Sequence, residues 1–264
     1  MSPNIPLLYT VGTPNGHKVS IILEELKDAY RFQYEVRKID LQKNEQKEPW
    51  FLKVNPNGRI PALVDRSRDN FAVFESAAIL LYVAQHYDIE RKFSYDPVID
   101  SELYSEQLQW IFFTHGGIGP MQGQAAHFHR YAPEKIPYAI NRYIDETKRL
   151  YSGKYNASIP SSNYNYNNIV FQRESVLNDR LADREYLVGP GKGKYGVADI
   201  NTFPWVRASF WVGIDNLDAF PNVEAWVKRI AERPQVKNGL DAPDPQGPPM
   251  TKDEKERAAE EGRK

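Results

Sequence analysis

Residues 7–26 read LLYTVGTPNGHKVSIILEEL, and this stretch decides the fold. The apolar run at residues 7–11 predicts a short buried strand. Further on, apolar side chains recur with the spacing i, i+3, i+4 and i+7, which predicts an amphipathic helix. The turn at residues 12–16 therefore lies between the end of a strand and the N-terminus of a helix.

The rest of the first third of the chain predicts a compact domain over residues 1–88. Its order is strand, helix, strand, loop, strand, strand, helix, which combines a βαβ unit with a hairpin and a last helix. After the first strand and helix, the predicted elements are strands at residues 34–39, 61–64 and 71–74 and an apolar helix at 76–86.

A charged, proline-bearing linker is predicted at residues 89–100, and strand patterns nearly vanish after it. We predict an all-helical domain over residues 101–240. Its helices are expected around residues 103–113, 136–151, 170–181, 200–212 and 223–230, the fourth apolar on nearly all sides and the last ending at Pro234.

Two segments of the chain show no chemical motif. Residues 152–168 are rich in Ser, Asn and Tyr, which predicts an insertion between two helices. Residues 241–264 begin with prolines and continue with charges, which predicts a solvated tail.

Composition excludes several classes of function. With 34 Lys and Arg against 35 Asp and Glu, the chain lacks the basic character of a nucleic-acid-binding protein. We expect no membrane span and no secretory leader, and hence a cytoplasmic protein. The chain has no cysteine, so a reacting thiol must arrive with the substrate.

Six short motifs keep the order and spacing of a known family. They are TPNGHK at 13–18, NGRIPAL at 57–63, FESAAIL at 74–80, LQW at 108–110, GGIGPM at 116–121 and IPYAINRY at 136–143. With the predicted element order, they resemble the glutathione transferase fold, from about residue 7 to residue 234. The branch they look like is the Nu class, which includes bacterial disulfide-bond reductases and fungal nitrogen-regulator-like transferases.

The resemblance implies an α/β half joined to an all-α half. The N-terminal half would be a thioredoxin-like domain with a four-stranded mixed sheet, and the C-terminal half a helical bundle. It further implies a two-fold homodimer with sites near the interface.

Thr13 and Asn15 are the candidate catalytic residues, because the resemblance puts the glutathione sulfur at these positions. Helix N-termini favour anions, and hydroxyl or amide donors there would stabilise a thiolate. A helix-capping turn explains the same residues without any chemistry. Tyr9 is an alternative thiol activator, although packing of an aromatic strand residue accounts for it.

The segment Arg59, Ile60 and Pro61 is a second candidate site for glutathione. By resemblance, the Ile60–Pro61 bond is cis and exposes the Ile60 backbone, which can pair with an extended peptide. A plain proline at the start of a strand is the alternative.

Three further side chains are assigned to glutathione by resemblance. Glu75 and Ser76 at a helix start suit the ammonium and carboxylate of a γ-glutamyl group. Gln46 matches the position that, in the family, contacts the glycine end of glutathione. A favourable acid with a cap, and a solvated glutamine, are the alternatives.

By resemblance to the disulfide-reductase branch, Arg142 matches an arginine that binds the second glutathione unit of oxidised glutathione. A guanidinium suits a carboxylate because it donates two parallel hydrogen bonds. A solvated charge on a helix is the alternative.

Together these observations predict an enzyme that uses glutathione as co-substrate and needs no metal. Glutathione thiolate would reduce disulfides or peroxides or attack a small electrophile. A glutathione-binding regulator or an aromatic ligand carrier with little turnover is the alternative. His127 and His129 do not share a helix face, which argues against a metal site.

Overall fold

The structure, a computed structural model, describes residues 4–152 and 176–243 and begins with a mixed sheet. Its strands are β1 (Leu7–Thr10), β2 (Glu35–Lys38), β3 (Ala62–Asp65) and β4 (Phe71–Phe74). They lie in the order β2-β1-β3-β4, with β1 parallel to β2 and antiparallel to β3, and β3 antiparallel to β4. Each strand boundary is within one residue of its prediction.

Two helices bury their apolar sides in the core beside the sheet, α1 (Pro14–Tyr30) and α3 (Ser76–Tyr87). Leu8 of β1 and Leu63 of β3 face each other across the ladder and are fully buried in this cluster. The predicted βαβ unit, hairpin and last helix are confirmed.

The segment between β2 and β3 is not the plain loop that the sequence predicts. It contains a 3₁₀ turn, Glu45–Lys47, and a helix, α2 (Pro49–Val54). Phe51 of α2 is fully buried in a second small cluster with Ile39 and Ala62. The prediction was wrong because a helix of six residues is too short to show a helical period.

The second part of the described chain is helical. Its helices are α4 (Ser101–Phe113), α5 (Gly119–Ala126), α6 (Pro137–Ser152), α7 (Val176–Arg180), α8 (Val197–Arg207), α9 (Pro221–Ala231) and α10 (Pro234–Asp241). Among them, α8 is the central helix, and all but two of its residues are buried. The fold class is therefore as predicted.

Helix α8 ends earlier than predicted. The chain leaves the α-helix at Ala208 and continues as a 3₁₀ turn, Ser209–Val212. Because Val212 is as buried as the helix itself, apolar character runs on past the helix end. Apolarity alone could not locate that end.

The helix predicted at residues 223–230 stops before Pro234 as predicted, but it is not the final helix, which corrects a second prediction. Pro234 does not end the helical part of the chain. It is the first residue of α10, a position that suits proline because the N–H it lacks would have no helical partner. Helix α10 packs tightly on α1. A Cβ on Gly239 would lie 2.6 Å from the Ile21 Cα, and the Ser20 hydroxyl donates to the Gly239 carbonyl.

Helices α4 and α5 follow one another through a π-helical turn, Thr114–Ile118, and a second π turn, His127–Tyr131, follows α5. The sequence did not predict α5, since its glycines hide a helical pattern.

Several predictions lie outside the described residues. These are the insertion at residues 152–168 beyond its first residue, the start of the helix predicted at 170–181, and the tail beyond residue 243.

Candidate glutathione site

The sheet topology gathers most of the candidate residues at one end of the strands, where β1 and β4 finish and β3 starts, which we call the sheet edge. In the ladder, Tyr9 pairs with Ala62, and Ala62 pairs with Phe74. The end of β1, the start of β3 and the end of β4 therefore lie side by side. The segments attached there carry Thr13 and Asn15, then Ile60 and Pro61, then Glu75 and Ser76. Strand β2 runs parallel to β1, so the segment with Gln46 leaves from the same edge.

Thr13 is the N-cap of α1. Its backbone is extended, with φ −130° and ψ 160°, and its Oγ1 accepts a hydrogen bond from the Gly16 N–H at 3.1 Å. The capping role is confirmed, but it uses only an acceptor site of the hydroxyl. The hydroxyl proton can still be donated to an anion above the helix start.

Gly16 is required by the tightness of this turn. A Cβ there would lie 2.3 Å from the Val11 carbonyl oxygen and 2.5 Å from Thr10 Oγ1. No side chain fits that space, so the backbone can close beneath Thr13 only with glycine.

Asn15 lies in the first turn of α1, and its carboxamide is held from the other half of the chain. Its Oδ1 accepts a hydrogen bond from Trp205 Nε1 of α8 at 2.9 Å. Within the described chain, no group accepts a hydrogen bond from Asn15 Nδ2. The amide therefore keeps its two N–H donors for a ligand.

Tyr9 has a packing role. Its ring lies 5.6 Å from the Trp50 ring and 5.9 Å from the Phe51 ring, centroid to centroid. Arg37 lies over the Trp50 ring at 4.4 Å. The aromatic neighbours explain this tyrosine as the sequence argument did.

The Ile60–Pro61 bond is cis, as expected. Pro61 is buried and Ile60 is half-buried, while the Arg59 side chain is exposed. The Arg59 carbonyl accepts from Asn55 Nδ2 at 2.7 Å, which holds the segment before the strand. Across the described residues, neither the N–H nor the C=O of Ile60 is hydrogen-bonded, so both are available to an extended peptide.

Glu75 and Ser76 form the start of α3. Glu75 is exposed and has a positive φ of 69°, whereas Ser76 is buried as the first helical residue. Their neighbour across the core is Lys18 of α1, whose ammonium the Glu75 charge stabilises.

Lys18 is a buried lysine that sequence reasoning did not single out. It is 1% exposed, and its Nζ lies 3.3 Å from His115 Nε2 in the π turn after α4. Burial lowers the pKa of Lys18 to about 7, although Glu75 opposes this shift. Burial, and then Lys18, lower the pKa of His115 to about 4. The neutral imidazole therefore accepts from the lysine.

Gln46 lies in the 3₁₀ turn after β2. Its Oε1 is buried, and no donor in the described residues reaches it. A buried amide oxygen without a partner is costly.

Arg142 is exposed on α6. No hydrogen bond or ion pair links it to the other candidates in the part of the chain that the structure describes. The structure thus gathers the N-terminal candidates, and the assignment of Arg142 stays a prediction.

The described ranges contain no group of three or more His, Cys, Asp or Glu side chains placed to hold a metal ion. No helix there has the length and apolar character to cross a membrane.

Fold and site together define a thioredoxin-like half with anion-binding donors, completed by a helical half. Family models of the glutathione S-transferase N-terminal domain and C-terminal domain match residues 4–85 and 170–234. The chain belongs to the glutathione S-transferase family.

Similar proteins agree with this assignment. The disulfide-bond oxidoreductase YfcG of Escherichia coli is 38% identical over 237 residues, which cover 88% of this chain and 93% of that protein. The glutathione transferase URE2P6 of Phanerochaete chrysosporium, solved with oxidised glutathione, is 39% identical with a TM-score of 0.75, covering 91% of this chain and 97% of that one. A glutathione transferase homologue of Lodderomyces elongisporus, solved with two glutathione molecules per subunit, is 36% identical with a TM-score of 0.75, covering 91% and 100%.

Proposed function

We propose that this protein binds glutathione at the sheet edge and activates its sulfur as a thiolate at the start of α1. The observation that carries the proposal is the pair of free donors there, the Thr13 hydroxyl and the Asn15 amide, whose acceptor atoms are already engaged. Each group can therefore still donate a hydrogen bond to the sulfur.

The energies are of the right size for this task. A thiol has a pKa of about 8.5, and lowering it by two units needs about 2.7 kcal/mol. A hydrogen bond to a charged group contributes about 1.5–3 kcal/mol and a helix N-terminus about 0.3–1 kcal/mol. Two donors at a helix start can supply the shift.

The rest of the tripeptide follows the sheet edge in this proposal. The Ile60 backbone pairs with the cysteinyl unit of glutathione as an added strand would. Glu75 and Ser76 take the γ-glutamyl ammonium and carboxylate. Arg59 and Gln46 take the glycine end of the tripeptide.

The reaction we favour is disulfide reduction. The thiolate attacks one sulfur of a disulfide, forms a mixed disulfide with it, and expels the other sulfur as a thiolate, which takes up a proton. A second glutathione thiolate then attacks the glutathione sulfur of the mixed disulfide, which forms oxidised glutathione and expels the remaining substrate sulfur as a thiolate that takes up a proton. Arg142 would bind a carboxylate of that second molecule. Peroxides and electrophilic carbons are further substrates of the same thiolate.

The relatives support our choice of disulfide reduction as the favoured reaction. The E. coli relative is named as a disulfide-bond oxidoreductase, and two solved relatives hold oxidised glutathione or two glutathione molecules. The setting that we propose is the cytoplasm, where glutathione keeps thiols reduced.

We also propose a homodimer and retain the predicted domain boundaries, with the linker at residues 89–100. Phe71 and Phe74 on the outer strand β4 expose 56% and 40% of their surface, which gives this strand an exposed apolar surface. Sedimentation equilibrium would measure the oligomeric state.

The function is tested by calorimetric titration with reduced and oxidised glutathione, followed by a disulfide-reductase assay on the same sample. We expect binding of both forms and glutathione-dependent turnover. Binding without turnover on disulfides, peroxides or aryl electrophiles would identify a binding protein and overturn the enzymatic proposal.

A further inference from the structure

The indole of Trp205 decides which way the Asn15 carboxamide points. An indole N–H can only donate, so the atom 2.9 Å away on Asn15 must be the carbonyl oxygen. The planar amide then directs its NH₂ to the opposite side. Without the indole, the two ends of the amide would be nearly interchangeable in shape.

Trp205 is itself held in place from its backbone side. Its carbonyl accepts from Gln122 Nε2 at 2.7 Å, and the Gln122 Oε1 accepts from the Tyr151 hydroxyl at 2.5 Å. Gln122 and Tyr151 are both buried. This chain of hydrogen bonds joins α8 to α5 and α6.

The ring of Trp205 lies against two glycines of α5, Gly119 and Gly123. A Cβ on Gly119 would lie 3.4 Å from the indole Nε1, and one on Gly123 would lie 3.7 Å from the ring. These residues are four apart, so they share one side of the helix. Gly119 belongs to the GGIGPM motif, to which the proposed function gives no role.

We propose that Trp205 is a positioning residue for the reaction, which fixes the Asn15 amide so that Nδ2 rather than Oδ1 faces the glutathione sulfur. This inference rests on the proposed function. A residue of the helical half thereby determines which end of the Asn15 amide faces the sulfur, although Asn15 itself belongs to the thioredoxin-like half.

The role follows from the charge on the sulfur. A thiolate is stabilised by an N–H donor and repelled by a carbonyl oxygen. When the amide is free to turn over, a fraction of the molecules presents the oxygen and raises the pKa of the bound thiol. Loss of the indole N–H should therefore shift the pH profile of the reaction, whereas a purely structural role would change only the amount of folded protein.

The test is the apparent pKa of the bound thiol, measured by the ultraviolet absorbance of the thiolate and by the acid limb of kcat/KM for disulfide reduction. For Trp205→Phe, which keeps an aromatic ring and loses the N–H, we expect a higher thiol pKa and an about three- to tenfold lower kcat/KM at neutral pH. The matched control is Trp211→Phe, whose ring lies beneath Arg130 rather than beside Asn15. It should leave both values unchanged.

A double-mutant cycle with Asn15→Ala separates this inference from the proposed function. If Trp205 acts through Asn15, Trp205→Phe has no further effect on the thiol pKa in the Asn15→Ala background. An unchanged thiol pKa in Asn15→Ala would contradict the proposed function. A raised pKa in Asn15→Ala with none in Trp205→Phe would contradict only the role of Trp205.

A second variant covers the case in which Trp205→Phe does not fold. Replacing Trp205 by β-(3-benzothienyl)alanine keeps the bicyclic shape and removes only the N–H. We expect the same rise in thiol pKa. A folded protein of this kind with the wild-type pH profile would overturn the inference.

Discussion

Arg233 donates two hydrogen bonds to the carboxylate of Glu25, from Nε and Nη2 at 2.8 Å each. The Glu25 side chain is 2% exposed and that of Arg233 30%. The pair joins α1 of the thioredoxin-like half to the junction between α9 and α10. Arg233 is the charged partner that the structure gives this buried carboxylate.

Arg233→Met should lower the free energy of unfolding by about 3 kcal/mol, because it leaves the Glu25 charge buried and unpaired. Urea denaturation measures the loss. The control is Lys228→Met, which breaks an exposed, solvent-screened pair with Glu224 and should cost much less. Equal losses in the two variants would show that burial of the Glu25 pair does not matter.

Asn15→Ala should reduce kcat for glutathione-dependent disulfide reduction about three- to tenfold, since the sulfur loses an amide donor. The acid limb of the rate profile should move to higher pH. Steady-state rates across pH measure both effects, with Asn216→Ala in an exposed loop as control. An unmoved acid limb would count against thiolate stabilisation by Asn15.

The buried Lys18 should make stability depend on pH. Its pKa is lowered from 10.5 to about 7 in the folded protein, so the unfolded chain binds more protons between these values. The free energy of unfolding should therefore rise with pH from about 7 towards 10, by up to about 1.4 kcal/mol per unit. Urea denaturation at a series of pH values measures this slope.

Lys18→Met should raise stability at pH 7 and flatten that slope. The matched control is Lys27→Met on the same helix, whose side chain is 58% exposed.

Below pH 7, opposing contributions determine how the free energy of unfolding depends on pH. Burial lowers the pKa of His17 and of His115 to about 4, so these two residues make the protein more stable as the pH rises. Burial also raises the pKa of Asp199 to about 6, so this residue makes the protein less stable as the pH rises.

Gly239→Ala should destabilise the protein by about 1–3 kcal/mol, because the new methyl group would meet the backbone of Ile21 and force α10 away from α1. Thermal unfolding measures the effect. Gly116→Ala is the matched control, since a Cβ there meets nothing within 4 Å. This variant should be neutral or gain about 0.4–1 kcal/mol. A neutral Gly239→Ala would contradict the close packing of the two helices.

Arg142→Gln should weaken binding of oxidised glutathione about tenfold and change that of reduced glutathione much less, since the arginine is assigned to the second tripeptide. Calorimetric titration with both ligands distinguishes the two. Lys148→Gln, also exposed on α6, should change neither affinity. Equal weakening of both ligands would place Arg142 elsewhere in the mechanism.

Sequence patterns were sufficient where local chemistry determines structure. Thr13 before a proline and an apolar period located the start of α1, and alternating apolar runs located the strands. They were insufficient where tertiary contacts decide. The short α2 is defined by the burial of Phe51, and α10 by the fit of Gly239 against Ile21.

The same limit applies to the site. Thr13, Asn15, Ile60 and Glu75 could be proposed because each belongs to a motif that follows or precedes a strand. Trp205 lies 190 residues beyond Asn15, inside an apolar helix where an indole looks like core. No local pattern distinguishes a tryptophan that donates its N–H to an amide from one that only fills space.

The indole–amide contact limits how this architecture can be recombined. A chimera that joins the first half of this protein to the last half of a relative would retain every tripeptide contact at the sheet edge. Unless the incoming half supplies an indole at the place of Trp205, such a hybrid should fold and bind while its sulfur chemistry slows. Exchange of halves between relatives therefore has to preserve a pair of residues, one from each parent.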